Sequence, residues 1–367
     1  MNNIRLMKPY ISFDDVEADF REVFHSGIFT RGQHVEAFRK ELAVFTGARH
    51  VHIATSATTA LWVCLKLLGI GPGDEVVVSD FSFPATANVV EDVGATLVFA
   101  DVSLETYNVL PETLEALLTQ RTKAVIFVDA LGNPSGLNAI SELCRSRGIP
   151  LIEDAACAIG SSESGRRCGS IADLTCLSFH PRKLINTGEG GAITTDNDAW
   201  SRWLDVKLAH GAQGMKGFGL DFVDYGYNFR LPELQAIMGR KQLAKLDAVI
   251  DRRNAMREAY IMALRPMGFV VQAVGAGVRY NVQSMVFRVP PGCNRDALVG
   301  ALKADGVETT LGTYALSQGT YFARRYGVRN PNATWLQDTT ITLPCHDDVQ
   351  IEYVVDAIRR ALTQISR

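Results

Sequence analysis

Residues 174–195 read LTCLSFHPRKLINTGEGGAITT. An apolar run ends at Phe179, a polar turn passes through His180, Pro181 and Arg182, and one lysine, Lys183, precedes the glycine loop Gly188-Glu189-Gly190-Gly191. A second apolar run, 192–195, follows, so the pattern is strand, turn, loop, strand, with a single amine fixed between the two strands. Most lysines are solvated surface charges. This one stands at a strand end among Ser178, His180 and Thr187, beside Arg182, and is trailed by glycines that let backbone or ligand come close. An ammonium that is desolvated or crowded by another cation releases its proton more readily, and the free amine can form a Schiff base with a carbonyl.

The chain around this stretch alternates in type. Short apolar runs at 51–54, 75–79, 96–100, 124–128 and 150–154 are separated by segments of helical spacing, which predicts a mostly parallel sheet with helices on both faces. Two further helices are predicted within 12–46, broken at Ser26-Gly27, and a long one from Pro232 carrying Leu234, Ile237, Met238, Leu246, Val249 and Ile250 on one face. From about residue 252 the pattern becomes α+β. We therefore expect a large domain over 1–250, whose N-terminal segment packs on the other domain, and a small C-terminal domain over 251–367.

Three blocks place chemistry on strand ends. Ser56-Ala57-Thr58-Thr59 opens a helix after the first strand, where backbone N–H groups and the positive dipole end point outward; an ordinary N-cap and a phosphate cup are both readings of that feature. Asp80-Phe81-Ser82-Phe83-Pro84 enters a helix at the carboxyl end of a strand, where open α/β sheets bind ligands, and Phe83 is either core or a stacking ring. Asp154 closes the strand PLIED, as a helix cap, a metal ligand or the partner of a cation.

Composition narrows the classes. The chain has 367 residues, 47% of them hydrophobic, enough for a large domain and a smaller one. A formal net charge of -3 gives no basic field for nucleic acid or an anionic membrane. Neither a secretory apolar core near Met1 nor a membrane-length apolar run is visible, so a cytoplasmic protein is expected. The seven cysteines are scattered without a C-x-x-C pair and read as reduced thiols. No metal site is expected, since the strand pair His50 and His52 lacks a third ligand nearby and His346-Asp347-Asp348 lacks calcium-loop spacing.

Taken together, the blocks resemble the DegT/DnrJ/EryC1/StrS family of pyridoxal-phosphate (PLP) sugar aminotransferases. Ser178-Phe179, Lys183 and Thr187 to Gly191 match its S-F-x-x-x-K and T-G-E-G-G pattern; Ser56 to Leu61 match S-G-T-A-A-L, with Ala57 for glycine; and Glu153 to Ala158 match E-D-x-A-x-A, with Cys157 where many members carry Gln or His. Gly226-Tyr227-Asn228-Phe229-Arg230 resembles G-x-N-Y-R, with Phe229 for Tyr, and Thr313 to Ser317 resembles T-Y-A-L-H with Ser317 for histidine. The resemblance implies fold type I, a mostly parallel mixed sheet flanked by helices plus a smaller α+β domain. It implies PLP and its amine form PMP as cofactor, with Lys183 as the Schiff-base residue and Asp154 at the pyridine nitrogen. Phe83 stacks on the ring and Cys157 lies near the ring 3-oxygen, while Ala57, Thr58, Ser178 and Asn228 of a partner subunit hold the phosphate. His180, Arg230, Tyr314 and Ser317 become candidates for substrate contact. The implied reaction moves an amino group from glutamate to a keto-deoxy-sugar nucleotide in a homodimer with active sites at its interface. A sugar dehydratase of the same fold, whose members carry histidine where Lys183 stands, and a non-catalytic PLP-fold regulator are the alternatives.

Overall fold

In the computed structural model, which describes residues 3–365, seven strands form the central sheet. Their order is His50–Ala54, Gly191–Thr195, Leu174–Ser178, Leu151–Asp154, Thr122–Val128, Glu75–Ser79, Thr96–Ala100. The first two pairings are antiparallel and the remaining four parallel. Glu75–Ser79 and Leu151–Asp154 are buried at every position, as strands covered on both faces must be. The two-residue period then sorts their side chains. Val76 and Val78 join Leu61, Val63 and Cys64 of the helix Ala57–Leu67 on one face, while Val77 joins Leu137, Ile140 and Cys144 of the helix Leu137–Arg147 on the other.

This topology fixes one edge as the working edge. All parallel strands end there, and the antiparallel register aligns Ala54, Gly191 and Ser178 across three neighbouring strands. Asp154 pairs with Cys176, two residues before Ser178. Carboxyl ends of parallel strands are where such sheets open to ligands.

The C-terminal part builds a four-stranded antiparallel layer, Val270–Val271, Met285–Arg288, Thr340–Leu343 and Thr310–Leu311, covered by the helices Arg295–Ala304 and Ile351–Ile365. Leu298, Leu302, Ile341, Leu343, Val354 and Ile358 form its core. Ile4 bridges to Val307, with Ile4 N–H on Gly306 O at 2.8 Å and Glu308 N–H on Ile4 O at 2.9 Å. Ala315, Ala333 and Leu336 return to the core of the large sheet. The long helix expected from Pro232 is two helices, Glu233–Leu243 and Leu246–Leu264, and the second runs through residue 250 without a break. The chain leaves helical geometry at Lys245 (φ -111°, ψ 5°), after Gln242 has turned its amide onto Asn186 O at 2.7 Å. No helix among the described residues is long and apolar enough to cross a membrane.

Candidate active site

Lys183 sits on the loop between Leu174–Ser178 and Gly191–Thr195, and the loop is held shut by its own backbone. Lys183 N–H donates to His180 O at 2.8 Å, Thr187 N–H to Phe179 O at 2.9 Å, and Phe179 N–H to Gly190 O at 2.8 Å. Gly190 has φ +159°, and a Cβ there would stand 2.5 Å from Thr187 Oγ1, so the close turn needs glycine. The lysine Nζ lies 3.0 Å from Cys157 Sγ. His180 is half-buried and accepts from Arg182 N–H through Nδ1 at 3.2 Å. Burial lowers its pKa against the pull of Glu189, so the imidazole is neutral near pH 7.

Asp154 ends the neighbouring parallel strand, 6% exposed. Its Oδ2 accepts from Thr86 Oγ1 at 2.7 Å and its Oδ1 from Ala156 N–H at 3.2 Å. Burial pushes its carboxyl above the usual range, and those two donors together with the Lys183 charge pull it down. No arginine, lysine or histidine pairs with it among the described residues.

The third part is the start of the helix Ala57–Leu67. Ser56 caps it in a reciprocal box with Thr59, Ser56 Oγ accepting from Thr59 N–H at 3.1 Å and Thr59 Oγ1 accepting from Ser56 N–H at 3.2 Å. The N–H groups of Ala57 and Thr58 are left without a partner among the described residues, at the positive end of the helix dipole. Gly191 presses against this turn, since a Cβ there would meet Ser56 C at 2.5 Å and Ala57 N at 2.7 Å. Because Gly191 pairs with Ser178, the serine hydroxyl stands beside the open helix end. An amine, a buried carboxylate and an anion cradle thus share one edge of the sheet.

Comparison with known proteins places this arrangement. Residues 12–359 match the family model described as the DegT/DnrJ/EryC1/StrS aminotransferase family. The chain belongs to that family. It is 32% identical to the spore coat polysaccharide biosynthesis protein SpsC of Bacillus subtilis, over 96% of this chain and 95% of that protein. Its structure resembles that of the aminotransferase TlmJ from Streptoalloteichus hindustanus, with a TM-score of 0.93 at 31% identity, over 99% of this chain and 100% of the other. It also resembles the PLP form of the putative sugar aminotransferase Spr1654 from Streptococcus pneumoniae, with a TM-score of 0.91 at 25% identity, over 99% and 100%. As a member of this sugar aminotransferase family, the chain is a PLP-dependent aminotransferase.

The residues present fit that cofactor. A buried carboxylate without a cation is costly, and a protonated pyridine nitrogen is the partner that Asp154 lacks. Two free N–H groups at a helix start and a neighbouring hydroxyl fit a phosphate. When bound, PLP supplies the aldehyde and the electron-withdrawing ring that let an amino group pass between two carbon skeletons.

The remaining expected residues fall into two groups. Phe83 is 64% exposed, with its ring edge-on to Tyr314 at 6.3 Å, because Tyr314–Ala315 pairs with Phe81–Ser82. Pro84 then caps the helix that carries Thr86, so Phe83, Tyr314 and Asp154 belong to one neighbourhood. Ser317 does not open onto it. It is 1% exposed, and its N–H and hydroxyl both donate to the Asp80 carboxylate at 2.6 Å, which uses up the side chain inside the fold. Asn228 bridges to Ala209 and makes no hydrogen bond to Lys183, Asp154 or Ser178 of its own chain. Arg230 faces a separate cavity of about 280 Å³ lined by Arg31, Glu36, Arg39 and His52, with Nε and Nη1 buried and unpartnered.

His50 and His52 point to the helix Asp198–Lys207. His50 Nε2 lies 2.7 Å from Asp198, and His52 contacts Ser201 at 3.0 Å and Asp205 at 3.1 Å. Sequence reasoning missed Thr86, although it lies three residues beyond Phe83 in the same block; a hydroxyl one helical turn past a strand end was the available signal. It also missed Gln283, for which no motif exists.

Proposed function

We propose that this aminotransferase takes its amino group from glutamate and delivers it to a keto-deoxy-sugar nucleotide, a 4-keto-6-deoxy sugar in the first instance, for a surface polysaccharide or a secondary metabolite. The observation that carries the reading is that Lys183, on its glycine-closed loop, and the buried Asp154, which no cation pairs among the described residues, lie on neighbouring strands at one edge of the sheet. SpsC, a relative named for polysaccharide biosynthesis, supports a sugar acceptor.

In this reading each residue has a task. Lys183 Nζ would hold the aldehyde of the cofactor and, as a free amine, would take up and return the proton at the reacting carbon. Asp154 keeps the ring nitrogen protonated, with Thr86 and the Ala156 N–H orienting its two oxygens. Ala57, Thr58 and Ser178 hold the phosphate. Phe83 covers the ring face, and His180 and Tyr314 stand where the acceptor enters. Asn228 and Arg230 serve the site of a second copy. An exposed apolar hairpin, Ala212–Lys216 with Gly219–Phe222, supports that assembly, since Met215, Phe218 and Phe222 are all in water. The cytoplasm is where such nucleotide-linked sugars and reduced thiols belong.

The test starts from the pyridoxamine-loaded protein and a panel of keto-deoxy-sugar nucleotides. The expected result is that one of them returns the protein to its aldehyde form, read from the visible band, and that glutamate reloads it. Failure of every sugar nucleotide, with turnover of a simple 2-oxo acid pair instead, would overturn the acceptor class.

A further inference from the structure

The loop that carries Lys183 is gripped on both sides of the lysine by one side chain, while Gln235 and Gln242 hold its later part. Gln283 Oε1 accepts from Leu184 N–H at 3.0 Å, and Gln283 Nε2 donates to Arg182 O at 2.7 Å. The residues immediately before and after the lysine are therefore bound to a single amide. That amide is itself held. Gln283 N–H donates to Asn281 Oδ1 at 2.9 Å, and Asn281 Nδ2 donates to Cys157 O at 2.8 Å and Ile159 O at 3.0 Å. The same three-residue turn thus fixes both the lysine loop and the segment whose thiol touches Lys183 Nζ.

The turn has two unusual features. Val282, fully buried, has φ +53°, a conformation that β-branched residues avoid. Strain of this kind persists only where the surroundings over-determine it, and it clusters at functional sites. The surroundings here are Arg253, 2% exposed and without a carboxylate partner among the described residues. Its Nε donates to Val282 O at 2.8 Å, its Nη2 to Gln283 O at 3.1 Å, and its Nη1 to Tyr10 Oη at 3.1 Å and to Cys345 O. Burying a guanidinium on three carbonyls and a phenol, with no opposite charge beside it, is costly, and here it anchors the strained peptide.

We infer that Asn281-Val282-Gln283, locked by Arg253, is a positioning clamp: Gln283 sets where the Lys183 amine stands, and Asn281 sets the Cys157 segment against it. The inference rests on Lys183 being the cofactor-binding and proton-carrying amine. Without the clamp, Arg182 O and Leu184 N–H lose their partners, and the outside bonds that remain fall beyond the lysine, from Gln242 to Asn186 and from Gln235 Nε2 to Thr187 O at 2.9 Å and Glu189 O at 2.8 Å. A reacting amine misplaced by about 1 Å loses on the order of 10²-fold in rate.

Two variants test it. Gln283→Met keeps the volume and removes both bonds, while Gln283→Glu keeps the acceptor for Leu184 N–H and loses the donor to Arg182 O. In the cofactor-free chain, hydrogen exchange of the peptide spanning 180–187 is expected to run about three- to tenfold faster in Gln283→Met, with Gln283→Glu in between. In the loaded chain, Gln283→Met is expected to lower kcat by roughly 10- to 100-fold with little change in the KM for the amino donor. The pH at which its visible band titrates is also expected to move. A residue that only supports the fold would lower the unfolding midpoint and leave that titration in place. Unchanged exchange at 180–187, or faster exchange with an unmoved titration and kcat, overturns the clamp. Should Gln283→Met fail to fold, Gln283→Glu carries the same two readings. Borohydride labelling of wild-type Lys183 separates the premises: no label on that residue sinks the aminotransferase reading, whereas a normal label with indifferent Gln283 variants sinks only the clamp.

Discussion

At Lys183 the chemistry depends on one atom, whose hydrogen bond goes to the Cys157 thiol. Lys183→Ala leaves the backbone bonds of the loop in place, so the cofactor-free chain should unfold at the wild-type midpoint. Amino-group transfer should fall by about 10²- to 10⁴-fold, and a half-reaction surviving at roughly a tenth of the wild-type rate would remove the lysine from the mechanism. Behind it lies a costlier arrangement. Asp129 is fully buried, and among the described residues neither its carboxyl oxygens nor Glu153 Oε1 accepts from an N–H or an alcohol; the two carboxyls face each other and the Cys168 thiol, with ligand atoms within 4.8 Å of one another. Burial, then the Glu153 charge, holds the Asp129 carboxyl well above the usual range, and burial raises Glu153 as well. The folded pair therefore keeps a proton that the unfolded chain loses above about pH 4, so stability falls as pH rises from there until the folded pair also ionises. Asp129→Asn supplies Glu153 with an N–H donor. It should flatten that slope and stabilise the chain by about 1–3 kcal/mol at pH 7, measured by urea unfolding at pH 5 and 7; a steeper slope would contradict it. Asp154 was legible because it ends an apolar strand and Lys183 because it follows one closely and precedes a glycine loop, whereas Ser317 was not, since nothing near it in sequence announces the Asp80 carboxylate that claims it.

Elements were legible where the apolar period was unambiguous. The runs 75–79 and 96–100 are the strands Glu75–Ser79 and Thr96–Ala100. The break between Glu233–Leu243 and Leu246–Leu264 was hidden because Leu234 with Ile237 and Leu246 with Ile250 each have helical spacing, and neither glycine nor proline marks the bend; the signal was the step from Ile237 to Leu246, about two and a half turns, which sets the two clusters on opposite faces. The hairpin Ala212–Lys216 with Gly219–Phe222 was hidden for the opposite reason, since Gly214, Gly217 and Gly219 erase the two-residue alternation. The turn at 281–283 owes its contacts to partners about a hundred residues away, which no local pattern encodes. The junction of Gly191–Thr195 with the helix Ala57–Leu67 gives the prediction at this scale. Gly191→Ala sets a methyl within 2.7 Å of the Ser56 and Ala57 backbone, so the helix start must move. We expect a destabilisation of about 1–3 kcal/mol together with weaker PLP binding, because the displaced N–H groups are those proposed to hold the phosphate. Unfolding and cofactor titration measured on one preparation check both, and a loss of stability at unchanged affinity would detach this helix from the cofactor.

Across the whole molecule, the parts of the site are unevenly distributed. Lys183, Asp154, Ser178 and the helix start share one edge, while Asn228 and Arg230 lie elsewhere on the same chain, next to the hairpin whose Phe218, at the turn, is fully exposed. An exposed apolar tip next to unpartnered polar groups supports the proposed second copy at this surface. In a two-fold dimer each protomer would then complete the other's site. This makes a quantitative demand on mixed dimers. Lys183→Ala and Asn228→Ala proteins, each impaired alone, give heterodimers in which one site has lost both residues and the other has lost neither. After random exchange of subunits, about a quarter of all sites should be intact, so activity should rise towards a quarter of the wild-type value. If Asn228 served its own protomer, every site would carry one lesion and mixing would restore nothing. Phe218→Glu combined with Phe222→Glu, by placing charges on the tip, should abolish both the dimer in sedimentation and the rescue on mixing.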